Sequence, residues 1–259
     1  MPLPREENVA KPEEKELERK KAILSELEDA LANRELELAT LKADLLSFQH
    51  IYLEAVGQLI AELDEIEARV AEATARKYPT DNKTEETVKK ARKRANESAN
   101  SYQSYREEIG VSLPKRKFSP TENLKKLFRE VAKRIHPDLA SNERDRTIRE
   151  ELMKRANDAY RDEDEENLRS ILAEYEAHPE SIMGDSIGAE LIRAIRNIEL
   201  INQRMNAIVN EIDVVMKSEL FLLKKNVEDA KIENRDLFNE MANHLHQKIQ
   251  QAKIKLGKI

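Results

Sequence analysis

With no cysteine and no tryptophan in 259 residues, the five histidines are the first side chains to weigh for chemistry. His136 and Asp138 are two apart, with Pro137 between them. An imidazole and a carboxylate that close could exchange a proton. A catalytic pair also needs a nucleophile or a set of oxyanion donors beside it, and the sequence offers neither. No glycine-rich phosphate loop occurs anywhere among the five glycines. His244 and His246 stand two apart in a helical pattern, so they project to different faces and make a poor metal site. His50 lies beside an apolar seam and reads as a packing residue. The expectation is therefore a protein that is not an enzyme, with no cofactor and no metal. His136, Pro137 and Asp138 are left as a tripeptide displayed on a turn.

The flanking patterns say how that turn is held. Leu124, Phe128, Val131 and Ile135 fall on one stripe at helical spacing. The other faces carry Lys125, Lys126, Arg129, Lys133 and Arg134. Ser119, Pro120 and Glu122 read as an N-cap, a first helical position and a capping-box acid. Pro137 has no N–H and pushes the residue before it out of the helical region, so this helix should end near Ile135. After a short polar loop a second stripe runs through Ile148, Leu152, Met153, Ala156, Ala159 and Tyr160. Two short helices with facing stripes and a tight connector form an antiparallel pair with His136-Pro137-Asp138 at its tip.

This stretch resembles the J-domain of DnaJ-type co-chaperones. The resemblance rests on the run from Phe128 to Leu139 and on Asn157, Ala159 and Tyr160, and it covers about residues 105–176. Phe128 stands where the family usually has tyrosine and Met153 where it usually has phenylalanine. The resemblance implies that His136, Pro137 and Asp138, with the basic residues Lys125, Lys126, Arg129, Lys133 and Arg134, bind an Hsp70-type chaperone and stimulate its ATP hydrolysis. It also implies a small core built on Leu124, Phe128, Val131, Ile135, Leu152, Met153, Ala156 and Tyr160. The family's first helix normally ends in a motif that Tyr105, Ile109, Gly110 and Val111 echo here, before a longer connection than usual. The end of the preceding long helix is thus expected to act as the J-domain's first helix. The absence of cysteine and the scarcity of glycine exclude the zinc-binding and glycine-rich modules of larger family members.

Composition fixes the fold class. Charged residues make up 37% of the chain, hydrophobic residues 39% and aromatic residues only 4%, with eight prolines. Turns must be few and elements long, as in coiled coils, so the expectation is all-α. A net charge of −6 argues against a general nucleic-acid binder. No run of 18 apolar residues exists to span a membrane. The N-terminus lacks an apolar signal segment, and the composition fits a cytoplasmic protein.

Read in order, residues 1–12 should be disordered and 13–109 should form a long helical hairpin. Its first arm repeats Leu17, Leu24, Leu31, Leu38, Leu45, Tyr52, Leu59, Ile66 and Ala73 at every seventh position. A helix of about 60 residues spans roughly 90 Å and cannot bury that stripe alone. Gly57 marks a close crossing, a bend or a tolerated surface glycine. Tyr78 to Asn82 read as a turn with helix-cap chemistry at its end. The run Lys89, Lys90, Arg92, Lys93 and Arg94 reads as a solvated helix face, or else as a patch for an anionic partner. A linker follows from Gly110 to Pro120, then the J-like unit over 105–177. The acidic run Asp162 to Glu166 reads as a helix start, and His178-Pro179 as that helix's end. With Gly184 and Gly188 bracketing its start and Asp185 or Ser186 as cap, a long helix or helical hairpin over 185–256 should pack on the N-terminal helices. From Leu191 onward no proline or glycine interrupts it before Gly257. The expected whole is an elongated rod of long helices from both termini with the J-like hairpin inserted. A homodimer would satisfy the same stripes. The rod would recruit a client protein or set location, and the alternative is a structural scaffold whose J-like unit no longer couples to Hsp70.

Overall fold

The computed structural model describes residues 12–78, 82–110, 117–140, 142–176 and 187–259, with only the backbone of 82–84 and 108–110. Of the expected disordered N-terminus all but Pro12, which starts α1, lies outside these residues, as do Pro79–Asp81 of the expected turn, most of the linker, His178-Pro179 and the Asp185 or Ser186 cap. Among the described residues the regular elements are all helical: α1 (Pro12–Tyr52), α2 (Gln58–Lys77), α3 (Asn82–Gly110), α4 (Glu122–Ile135), α5 (Glu143–Arg161), α6 (Glu165–Glu176), α7 (Ile187–Met216), α8 (Glu219–Ile232) and α9 (Leu237–Lys258). The fold is all-α. None of these helices is long and apolar enough to cross a membrane. The chain divides into two compact units, residues 1–43 with 118–216 and residues 44–117 with 217–259.

In the first unit, the N-terminal part of α1 pairs with α7. Lys21 bonds Glu190 at 2.5 Å, Arg204 bonds Glu35 at 2.7 Å and Lys42 bonds Glu211 at 2.8 Å. Each pair is separated by 169 residues, so the two helices run parallel in one register. Between the ion pairs, Leu31, Leu38, Ile201 and Ile208 form a buried seam, flanked by Leu24, Leu27, Met205 and Ile212. Their seven-residue spacing is the geometry of a parallel coiled coil made within one chain. A second cluster joins Ala32, Leu36 and Ala43 of α1 to α4, α5 and α6.

The second unit contains the rest of α1, a π-helical turn at Leu53–Gly57, and α2, α3, α8 and α9. The first arm is therefore not one regular helix. Gly57 is buried at a close crossing: a Cβ there would meet Cδ2 of Tyr102 at 3.0 Å and Cδ2 of Leu53 at 3.2 Å. α2 and α3 form an antiparallel hairpin. Arg92 bonds Glu65 at 2.7 Å and Glu72 at 2.9 Å, and Arg94 bonds Asp64 at 2.7 Å and also Glu67. Lys89, Lys90 and Lys93 pair with Glu85, Glu86 and Glu97 one helical turn away. The basic run of α3 is thus matched by carboxylates along its length. On α9, Phe238 stacks on Phe48 and Lys253 reaches Glu62 at 2.8 Å, so α9 runs in the same direction as α1 and α2. Leu63, Ile66, Val70 and Ile249 form its buried seam.

The C-terminal pattern, expected as continuous helix or a hairpin, breaks twice without proline or glycine. Ser218 caps α8 by accepting from the Phe221 N–H at 3.3 Å. Asn234 takes a left-handed backbone (φ 58°), and Asp236 then caps α9 by accepting from Asn239 N–H at 3.1 Å. Serine and aspartate start a helix through a side-chain oxygen and asparagine can end one in the left-handed region, signals that a search for proline and glycine misses.

Candidate functional site

The site is built on α4 and α5. α4 begins at Glu122, and its cap is Thr121 rather than Ser119: the Thr121 hydroxyl accepts from the Leu124 N–H at 3.0 Å. The cap falls two residues later because Phe118 is drawn into the core, where its ring meets Tyr160 edge-on at 5.6 Å. The extended stretch between them is fastened by the acidic run. The Ser119 N–H donates to Glu163 at 2.9 Å and the Thr121 hydroxyl to Glu165 at 3.2 Å. That run is split accordingly. Asp162 and Glu163 close α5, with Glu163 left-handed (φ 56°), while Asp164 caps α6 by accepting from Asn167 N–H at 2.9 Å.

Every residue expected in the small core, Leu124, Phe128, Val131, Ile135, Leu152, Met153, Ala156 and Tyr160, is buried in one cluster with Leu168, Ile171 and Tyr175 of α6. Phe128 and Tyr160 lie 4.6 Å apart, ring centre to ring centre. Tyr160 is anchored at its hydroxyl by Thr40 of α1, 2.9 Å away. The helix on this side of the core is α1. The end of α3, expected in that role, belongs to the second unit, where Tyr105 contacts Tyr102 and His50.

α4 stops at Ile135, and His136 turns the chain out of the helix with ψ 130°. Pro137, Asp138 and Leu139 make one 3-10 turn closed by bonds from Leu139 N–H to His136 O and from Ala140 N–H to Pro137 O, both 3.1 Å. The Asp138 N–H donates to Nδ1 of His136 at 3.2 Å. On the other side of the ring, Nε2 lies 3.0 Å from Oε1 of Glu35 on α1. His136 is 3% exposed and Glu35 5% exposed. Pro137 and Asp138 are half-buried.

Glu35 is held by Arg204 of α7, with Nε to Oε1 at 2.7 Å and Nη2 to Oε2 at 3.2 Å. Arg204 also reaches Glu211 at 2.7 Å. Burial alone would push the Glu35 carboxyl up, but hydrogen bonds and charge from His136 and Arg204 outweigh it and hold its pKa below the ordinary carboxylate value. Burial likewise opposes the Arg204 charge, and its two carboxylate partners raise its pKa further in spite of it. Such a network is strongly coupled because each buried charge depends on the others for its hydrogen bonds.

A second buried charge supports the turn from α5. Arg149 donates to Arg134 O at 3.1 Å and to His136 O at 3.2 Å, so it caps the end of α4. It also bonds Asp145 at 2.9 Å and the Tyr175 hydroxyl, with its guanidinium 4.9 Å above the Tyr175 ring. A cation at a helix C-terminus is favourably placed against the exposed carbonyls.

The basic residues of α4 divide between two surroundings. Lys133 bonds Asp29 at 2.6 Å and Arg129 bonds Asn33 at 3.4 Å, both partners on α1. Lys125 pairs with Glu122 at 2.8 Å within its own helix. Lys126 and Arg134 are exposed, the latter 3.6 Å from Glu176. Glu35, Asp145, Arg149 and Arg204 were not singled out from sequence. Asp145 and Arg149 carried a local signal, an acid and a base one helical turn apart. Glu35 carried none, since its partner is 101 residues away.

Among the described residues no group of three or more histidines, aspartates or glutamates could hold a metal ion. No family model, curated protein or solved structure matches the chain.

Proposed function

We propose that this protein is a J-type co-chaperone, which binds an Hsp70-type chaperone through the α4–α5 tip and stimulates its ATP hydrolysis. It acts as effector of another enzyme and is not itself one. The observation that carries this reading is the antiparallel α4–α5 hairpin closed by α6, with His136-Pro137-Asp138 forming its connecting turn and five basic residues along α4. A cationic helix beside a rigid turn suits an acidic partner surface, since charge steers encounter and the turn fixes register. Matching of the α3 cations by carboxylates favours a protein partner over nucleic acid. A cysteine-free chain fits the cytoplasm. The long helices would bring in a client protein, and a second copy of the chain is a further candidate partner.

A second reading is favoured by one specific observation. His136 is buried against Glu35, so the hairpin serves equally as a structural brace in a helical scaffold uncoupled from Hsp70. Steady-state ATP turnover by an Hsp70, measured over a range of concentrations of this protein, separates the two. Co-chaperone activity appears as stimulation that saturates with the wild type and is lost in Asp138→Asn. Flat turnover at every concentration refutes it and leaves the scaffold.

A further inference from the structure

Three of the eight residues that the co-chaperone reading assigns to the partner are already bonded to α1 inside this chain. Lys133 bonds Asp29, Arg129 bonds Asn33 and His136 bonds Glu35. These three α1 residues lie within two helical turns of one another and present to α4 the acidic and polar chemistry that an Hsp70 surface would offer. The contact is fixed from behind. Arg204 of α7 grips both oxygens of Glu35, and Leu139 of the turn packs against the α1–α7 seam of Leu31, Leu38, Ile201 and Ile208. Thr40 holds Tyr160 at the other end of the interface.

We propose that α1, locked by Arg204, is an autoinhibitory occupant of the α4 partner surface and must separate from the His136–Leu139 turn before Hsp70 can engage it. The inference rests on the co-chaperone reading and deepens it. A partner cannot touch Nε2 of His136 while the Glu35 carboxylate occupies it. Lys126 and Arg134 stay exposed, so a first, weak encounter remains open. Binding that needs a minor open state has its apparent affinity reduced by that state's population. The latch therefore raises the concentration needed for stimulation and leaves the maximum unchanged.

Two readouts test this on the full chain. Diethyl pyrocarbonate modification, followed by mass spectrometry, reports whether His136 is covered, with exposed His244 and His246 as internal references. Hsp70 ATP turnover against protein concentration reports the consequence. The variants are Glu35→Gln and Arg204→Gln, with Asp29→Asn as a milder change at an exposed side chain. Each is accepted only with wild-type helicity by circular dichroism. The expected result has three parts. Wild-type His136 reacts far more slowly than His244, the variants speed its modification, and they lower the half-maximal stimulating concentration on the order of tenfold. Adding Asp138→Asn to the opened variants should abolish that stimulation.

The proposal is overturned if wild-type His136 reacts as fast as His244. It is also overturned if His136 opens in the variants while the half-maximal concentration stays put, which would leave the co-chaperone reading intact. If His136 opens and neither wild type nor variants stimulate at any concentration, the co-chaperone reading itself has failed and the latch has no partner to exclude.

Discussion

Arg149→Met removes the guanidinium that ties α5 to the end of α4 while keeping much of its apolar stem. The wild-type group is only 8% exposed and bonds Asp145, Arg134 O, His136 O and the Tyr175 hydroxyl. Asp145 is 1% exposed, so its carboxylate would stay buried without its cation. Breaking a buried pair from one side typically costs about 3–5 kcal/mol, because the remaining charge loses its main counter-charge while still out of water. The two freed carbonyls, of Arg134 and His136, add to this. Urea denaturation followed by circular dichroism should therefore show the transition of the first unit falling by about 1–3 M. Asp145→Asn in the same background should recover part of the loss, since it removes the buried charge that Arg149 balances. A loss below about 1 kcal/mol would refute the reasoning and mean that Asp145 finds other partners or water.

Other consequences follow from packing and titration. Phe128→Ala opens a void at a fully buried ring against Tyr160 and should cost about 3–5 kcal/mol in the same urea experiment. Gly57→Val, with Tyr102 and Leu53 already within 3.0 and 3.2 Å of a first added carbon, should destabilise by about 1–3 kcal/mol, a loss that thermal unfolding would detect. Glu35 has a folded pKa lowered from the ordinary 4.5, so its stabilising contribution is present above that value and is lost as pH falls through the lowered one. Urea midpoints measured from pH 7 downwards should drop below about pH 4.5, and Glu35→Gln should flatten that drop.

Local signals in the sequence were enough to read the hairpin itself. The stripe Leu124, Phe128, Val131 and Ile135 and its counterpart on α5 are periodic, and Pro137 dictates where α4 must stop. The eight expected core residues are buried for that reason. What covers the hairpin was not legible. Ala32, Leu36 and Thr40 lie one helix face away from the heptad stripe of α1, and with Leu36 the single large apolar side chain among them they give little sign of a second interface. Glu35 looks like any charged residue on a solvated helix until α7 brings Arg204 to it from 169 positions away. The acidic run Asp162 to Glu166 suggested a single helix start. Its split between two helix ends depends on a left-handed Glu163, a conformation that asparagine or glycine would have signalled and glutamate does not.

The proposed action of the α4–α5 tip on Hsp70 is decided by single-turnover hydrolysis of ATP already bound to Hsp70, with the Glu35→Gln protein added in excess beside the same protein carrying Asp138→Asn. Faster hydrolysis with the first and none with the second is the predicted result. Equal rates with both, at the level of Hsp70 alone and with His136 demonstrably uncovered, would contradict the claim and leave the hairpin as a brace in a helical scaffold.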